Sequence, residues 1–394
     1  MSKRAAKGSG TIRKKAVTRN GQKYEYWEAR VTTGYDPGTG KQRQRSFSGK
    51  TQAEVRKKMQ AAAVELDAGT YQEPSKLTVG AWLDIWAAEY LSDVKPRTLD
   101  SYKTTMRTHL KPALGAIRLQ ALTAPQIQKF YNGLQKREKP LSPKTIKNIH
   151  GVLHKALQQA VEIGYIRINP ADACKLPRVE KTEIKPLDSA QITQFLELIK
   201  GHQFQNVYIV TLFTGMREGE VLGLTWDCID FSNGTITIKQ QLQKERGSNG
   251  VYHLVSPKNG KSRHITPAAS VMQILKQERR KQIEARFRAR ELWDNPMNLV
   301  FTNELGRNLS PQTVYLNFKR IAAKAGFPAA RFHDLRHSYA VAALQSGDDI
   351  KTVQENLGHF TAAFTLDVYG HVTEQMKKES ADRMERFIKG VSSL

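Results

Sequence analysis

The chain has 394 residues, 39% hydrophobic and 25% charged, which is long enough for two or three domains with their own cores and too apolar for a disordered polymer. It has no run of about eighteen apolar residues and no apolar stretch behind its basic start, so neither a membrane span nor a signal peptide is expected. The net charge of +25 divides as +9 over residues 1–75, +9 over 76–180 and +7 over 181–394. Such a spread suits a protein lying along a polyanion better than one with a single basic tail. Two cysteines, Cys174 and Cys228, read as reduced core residues of a cytoplasmic protein.

In chain order, residues 11–48 read first, as strands. Gln22 to Thr33 alternates around Tyr24, Tyr26 or Trp27, and Val31, and Lys41 to Phe47 follows the turn-rich Asp36-Pro37-Gly38-Thr39-Gly40. That glycine cluster lacks the spacing of a phosphate loop and reads as a hairpin turn. Thr51 and Glu54 predict a capping box for a helix with Val55, Met59, Ala62 and Leu66 on one face. Residues 1–70 thus predict a small three-stranded sheet plus helix, with thirteen Lys and Arg against three Asp and Glu in the first fifty positions. This is the pattern of an accessory DNA-binding module, or of a protein-interaction module with a basic surface. Arg43 and Arg45, two apart on one strand, share a face and are candidate DNA contacts.

A linker at Gly69 to Ser75 precedes residues 76–172, which predict a helical bundle. Trp82, Ile85, Trp86 and Tyr90 mark its first helix, and Leu99, Tyr102, Met106 and Leu110 its second. The third starts near Thr123, with Pro125 early and Gln126 completing a capping box, and the fourth runs from Pro143 to a stop at Gly164. Lys103, Arg107, Lys144 and Lys147 on the polar faces are further candidate DNA contacts; each alone is an ordinary solvated helix residue.

A second linker, Asn169-Pro170 and Lys175 to Lys185, leads into residues 185–394, a mainly helical region with a small antiparallel sheet. Helices are expected near 189–200 and 204–223, a hairpin turning at Asn233-Gly234 between Trp226–Phe231 and Thr235–Gln241, and a short strand at 263–266. Helices at about 267–292, 311–325, 333–346 and 373–390 follow, the last with a stripe of Met376, Met384, Phe387 and Ile388. The chain as a whole reads as multidomain α+β.

Four clusters in this last region carry chemistry. In Thr214-Gly215-Met216-Arg217-Glu218-Gly219-Glu220, Gly215 ends a helix and Arg217 stands at a tight re-entry into the next, placed either to hold an anion or to pair with Glu218 or Glu220. Ser256-Pro257-Lys258-Asn259-Gly260-Lys261-Ser262-Arg263 is a lysine-bearing turn between strands. His333 and Arg336, three apart on a helix, converge on one side. His333 and His337 lack the Glu of H-E-x-x-H, so no metal is expected there. Finally, Gly358-His359 precedes Tyr369 by ten residues from the histidine. Singly, these are a helix end and an ordinary half-buried aromatic.

Together, the order Arg217…Lys258…His333-x-x-Arg336…Gly358-His359…Tyr369 resembles the catalytic set of the tyrosine recombinase family, which includes the lambda-type phage integrases. Thr98…Tyr102, Leu114-Gly115, Ser142-Pro143-Lys144-Thr145 and Asn169-Pro170 look like that family's core-binding domain. The N-terminal sheet and helix resemble the arm-binding domain of integrases from phages and conjugative transposons. The resemblance implies a site-specific DNA recombinase that works through a 3′-phosphotyrosyl intermediate. Tyr369 would be its nucleophile, and Arg217 and Arg336 would be forked donors to the phosphate. Lys258 would be the general acid, with Lys261 a substitute, and His333 and His359 would assist at the phosphate. Asn259 stands where a threonine is commoner in the family. No cofactor is implied. The implied partners are double-stranded attachment-site DNA and a homo-tetramer assembled on it, with an excision factor and a host DNA-bending protein as accessories. The implied setting is a bacterial nucleoid, with no membrane. Two other readings remain: a type IB topoisomerase-like enzyme, and a non-catalytic DNA-binding regulator.

Overall fold

A computed structural model describes residues 10–19, 22–35, 38–68, 71, 75–180, 185–245, 250–257, 260–359, 361 and 374–391, with the backbone alone for Arg19 and for 374–380. The chain divides into two compact units, Met1–Lys181 and Thr182–Leu394.

In the first unit, β1 (Thr11–Arg19), β2 (Gln22–Tyr35) and β3 (Gln42–Gly49) form an antiparallel sheet in the order β1-β2-β3, and α1 (Gln52–Asp67) packs on one face. Ala29 and Val31 of β2 and Val55 and Ala62 of α1 are buried, as the alternating and helical periods require. The expected capping box is half made. Thr51 accepts from the Glu54 N–H at 3.2 Å, but the Glu54 carboxylate turns back to the N–H of Lys50 at 3.1 Å. Lys58 one turn along, also bonded to Glu54, helps hold it there.

Arg43 and Arg45 part company. Arg43 is exposed, whereas Arg45 lies opposite Val31, its guanidinium 4.8 Å from the Phe47 ring centre and 3.2 Å from the Tyr71 hydroxyl. The other face of the sheet gathers cations around Glu28: Arg13 and Lys15 donate to it at 3.0 Å and Arg30 stands 3.3 Å away.

The same unit contains α2 (Val79–Glu89), α3 (Pro96–Thr105), α4 (Lys111–Leu114), α5 (Ala124–Lys136) and α6 (Pro143–Glu162). The second expected helix is longer than its hydrophobic pattern, because α3 runs through one π-turn, Met106–Leu110, into α4. Pro112 has no N–H and its ring would collide with the carbonyl four residues back, so a widened turn lets the helix pass it. Trp82, Trp86, Leu110, Tyr131 and Leu153 fill the core, and the indole N–H of Trp82 donates to the Ala156 carbonyl at 2.8 Å. The box at α5 forms as expected, with the Thr123 N–H donating to Gln126 at 2.9 Å. Lys103, Arg107, Lys144 and Lys147 are all exposed, and Lys103 and Arg107 border one hollow with Lys111.

The second unit is built on α8 (Gln205–Thr214), a helix apolar on nearly every side and therefore central. Around it pack α7 (Ser189–Leu198), α9 (Glu218–Leu222), α10 (Ala269–Ala289), α11 (Pro311–Lys324) and α12 (Phe332–Gln345), and α13 (Ile350–Leu357) packs on α12. The helical span 204–223 is two helices, divided at Gly215 as the re-entry at Arg217 signals. The sheet is also smaller than expected: β4 (Ile229–Asp230), β5 (Thr235–Ile238) and β8 (Arg263–Ile265) pair in the order β4-β5-β8, while β6 (Gln241–Lys244) and β7 (Tyr252–Val255) form a separate ribbon. Residues 226–228 make a 3-10 turn, and the Asp230 carboxylate ends β4 by accepting the N–H groups of Ser232 and Asn233. The last helix, α14 (Glu374–Val391), leaves Met384, Phe387 and Ile388 exposed; the side chain of Met376 lies outside the described residues.

Candidate active site

Two glycine-ended helices shape the site. α8 stops where Gly215 adopts φ +65°, and a side chain there would collide with the Tyr339 ring and stand 2.7 Å from Leu357 Cδ2. α13 stops at Gly358, with φ +64°, where a Cβ would stand 3.0 Å from Arg263 Cδ. Left-handed caps of this kind suit glycine and leave the last carbonyls of each helix pointing outward and partly negative.

Arg336 takes both sets. It is 1% exposed, and its two terminal nitrogens donate to the carbonyls of Gly215 and Leu357, each at 2.5 Å. A cation at two helix C-termini is electrostatically favoured, and this bridge ties α12 to the ends of α8 and α13. Arg217 opens α9. It donates to Glu220 Oε1 at 2.7 Å and to the Gly358 carbonyl at 3.3 Å, across 141 positions of sequence. Pairing with Glu220, one of the two fates open to Arg217 in the sequence, therefore occurs, but over a carboxylate whose side chain is 0% exposed. Glu220 also receives both terminal nitrogens of Arg263, at 3.0 and 2.7 Å. Burial opposes its charge, but Arg263 and then Arg217 outweigh that and hold its carboxyl down at about 2.

His333 and His359 respond to the same cations. Protein crowding, then Arg336 and Arg217, push His359 down to about 3 and His333 to about 4. The His333 residue nonetheless keeps an exposed rim, so it can still meet a ligand from solvent. Its ring stands 4.8 Å from that of His337, edge to face. Among the described residues no group of three His, Cys, Asp or Glu could hold a metal ion. Arg217, Lys261, Arg263 and His359 line one open hollow. Lys258 and Tyr369 lie outside the described residues. The arrangement gathers two arginines and two neutral imidazoles about the ends of α8 and α13, a cationic setting that suits a phosphodiester whose charge grows during substitution.

The phage integrase family matches residues 185–376, and the N-terminal SAM-like domain of phage integrases matches 78–135. A tyrosine recombinase XerC-like protein of Caldanaerobacter subterraneus is 30% identical over 391 residues, covering 94% of this chain and 98% of its own. The chain belongs to the tyrosine recombinase family. The recombinase is thus a site-specific DNA strand transferase. Its fold is that of the Tn1549 transposon integrase in complex with a circular intermediate DNA, at TM-score 0.66 and 23% identity over 78% of this chain and all of that one. It is also similar to the lambda integrase tetramer bound to a Holliday junction, at TM-score 0.54 and 20% identity over 88% of this chain and 96% of that one. Among the described residues of the recombinase, no helix is long and apolar enough to cross a membrane.

Sequence reasoning passed over two residues of this site. Glu220 appeared only as a partner that would neutralise Arg217, and Arg263 only as the end of the lysine turn. The Arg-x-x-Glu spacing at a helix start was the available signal for the first. Nothing local marks Arg263, whose partners are 43 and 93 positions away.

Proposed function

We propose that this chain cleaves and rejoins DNA at attachment sites of a mobile element, with Tyr369 as nucleophile. The observation that supports it best is the convergence of Arg217, His333 with Arg336, and His359, from three separate stretches of chain, about the ends of two helices. The Tyr369 oxygen gives its proton to a neutral imidazole, His333 or His359, and attacks the scissile phosphorus; the bond from phosphorus to the 5′ oxygen breaks, and a 3′-phosphotyrosyl ester forms. The leaving 5′ oxygen takes a proton from Lys258, the family-matched acid, or from Lys261. Arg217 and Arg336 neutralise the non-bridging oxygens, and His333 and His359 hydrogen-bond them. A phenol with an ordinary pKa near 10 attacks well only where cations favour its phenolate, and two arginines supply that field. The energy of the broken ester is kept in the tyrosyl ester, so rejoining reverses the step.

In this reading, residues 1–70 bind arm-type sites, 76–172 grip the core site and 185–394 carry the chemistry. Exposed Arg43, Lys103, Arg107, Lys144 and Lys147 contact phosphates, while Arg45 supports the sheet that presents Arg43. Four copies assemble on two duplexes, by analogy with the lambda integrase tetramer, and the apolar stripe of α14 packs into a neighbouring copy. An excision factor and a host DNA-bending protein act as accessories, and the working enzyme resides on the bacterial nucleoid. Nicked attachment-site DNA should trap a covalent protein–DNA adduct, and Tyr369→Phe should abolish it. An adduct persisting in that variant refutes the assignment. Relaxation of any supercoiled plasmid without paired sites would favour a type IB topoisomerase, and binding without cleavage a regulator.

A further inference from the structure

Arg263 holds three acceptors at once. Its terminal nitrogens take both oxygens of Glu220, and its Nε donates to the Asn356 carbonyl at 2.8 Å. Its side chain is 10% exposed, so little of it faces water. Gly358 lies flat against it, where a Cβ would stand 3.1 Å from one terminal nitrogen. Glu220 meanwhile accepts the Arg217 N–H at 2.9 Å and one Arg217 terminal nitrogen at 2.7 Å. A carboxylate offers about four lone-pair directions, so these four donors saturate it.

This saturation decides where Arg217 points. An arginine beside a buried carboxylate relaxes into a two-pronged pair with it, and both prongs would then be lost to any other anion. Arg263 occupies the places the second prong would need. The other terminal nitrogen of Arg217 turns instead to the Gly358 carbonyl, beside His359.

We propose that Arg263 is a positioning residue for strand cleavage: it holds Glu220 so that Arg217 stays turned toward the scissile phosphate, and it pins the Gly358-His359 corner through Asn356. This rests on the reading that Arg217 serves the phosphate attacked by Tyr369. Lysine cannot replace the guanidinium here, because one ammonium does not span two carboxylate oxygens and a carbonyl on a different element.

The test is adduct formation by the full-length chain on nicked attachment-site DNA. Arg263→Met, Arg263→Lys and Arg217→Ala are compared with the unaltered chain after thermal melting shows which variants fold. A second substrate carries a methylphosphonate at the scissile position, which removes the negative charge that an oriented arginine must meet. On ordinary DNA, Arg263→Met and Arg263→Lys should slow adduct formation roughly tenfold to a hundredfold. Relative to the unaltered chain on the same substrate, the defect should shrink to about threefold or less on methylphosphonate, in parallel with Arg217→Ala. Arg263→Lys keeps a cation beside Glu220, so it supplies the result if Arg263→Met does not fold. A folded variant with unchanged rate, or with an equal defect on both substrates, overturns the proposal alone. No adduct with the unaltered chain on ordinary DNA overturns the recombinase reading, and this proposal with it.

Discussion

Two carboxylates in this chain each collect several cations, and they behave as different objects. Glu28, itself 7% exposed, sits on the face of the N-terminal sheet away from α1 beneath Arg13, Lys15 and Arg30, whose side chains are 51, 32 and 40% exposed. Its cover is made of long, solvated chains that water can replace. Glu220 sits under packed helices with Arg217 and Arg263, and its side chain is sealed from solvent. In the first case the pairs are screened and contribute little to stability. In the second, water cannot substitute for a lost partner, so the pairs fix geometry and their removal is costly. Ion pairing organises a site only where burial prevents exchange with solvent.

That contrast can be broken in order of size. Glu220→Ala should have the largest effect, about 3–5 kcal/mol in denaturant unfolding, because it strands two arginines around an empty buried seat. A loss under 1 kcal/mol would show that water reaches the cluster. Gly215→Ala should follow at about 2–4 kcal/mol, combining a left-handed backbone with a clash against Tyr339 and Leu357. The same substitution at Gly234, where a Cβ meets nothing within 4 Å, isolates the backbone part.

Acidification should come next. Burial and neighbouring cations hold His333, His337 and His359 at about 4, 4 and 3, below the ordinary imidazole value near 6.5. The unfolded chain therefore binds more protons between those limits. The stabilisation is complete above pH 6.5 and is lost as pH falls toward 4. Glu218, raised by burial to about 7, acts in the opposite sense, its contribution fading as pH rises through 7. With three imidazoles against one carboxyl, the unfolding midpoint should drop between pH 7.5 and 5, by roughly 1 kcal/mol after allowance for solvent screening. A midpoint that rises on acidification would mean Glu218 dominates. Smallest of all should be Glu28→Gln, with no resolvable change in melting temperature; a clear loss would place Glu28 with Glu220 and dissolve the comparison.

Much of the fold was legible because its signals are local. The strand alternation of β2, the cap at Thr123, and the proline-marked starts of α5 and α6 each occupy one short window of sequence. The misses are places where a neighbour decides. The break at Gly215 within 204–223 was signalled by the re-entry at Arg217, but only the structure shows Arg336 reaching the carbonyl there. Arg43 and Arg45 share a strand and a period as read, but that Arg45 also meets Phe47 and Tyr71 is visible only in the structure.

The same division holds at the site. By itself the sequence determined the family resemblance, the identities of Arg217, His333, Arg336 and His359, and the glycines that end their helices, because residue type, order and spacing are one-dimensional properties. Only the tertiary structure decided that Arg217 shares Glu220 with Arg263, and that Arg336 joins the ends of α8 and α13. Apart from Arg217–Glu220, those contacts join residues 21 to 121 positions apart, and hydrogen-bond geometry at such separations is set by how helices pack, which no local pattern encodes.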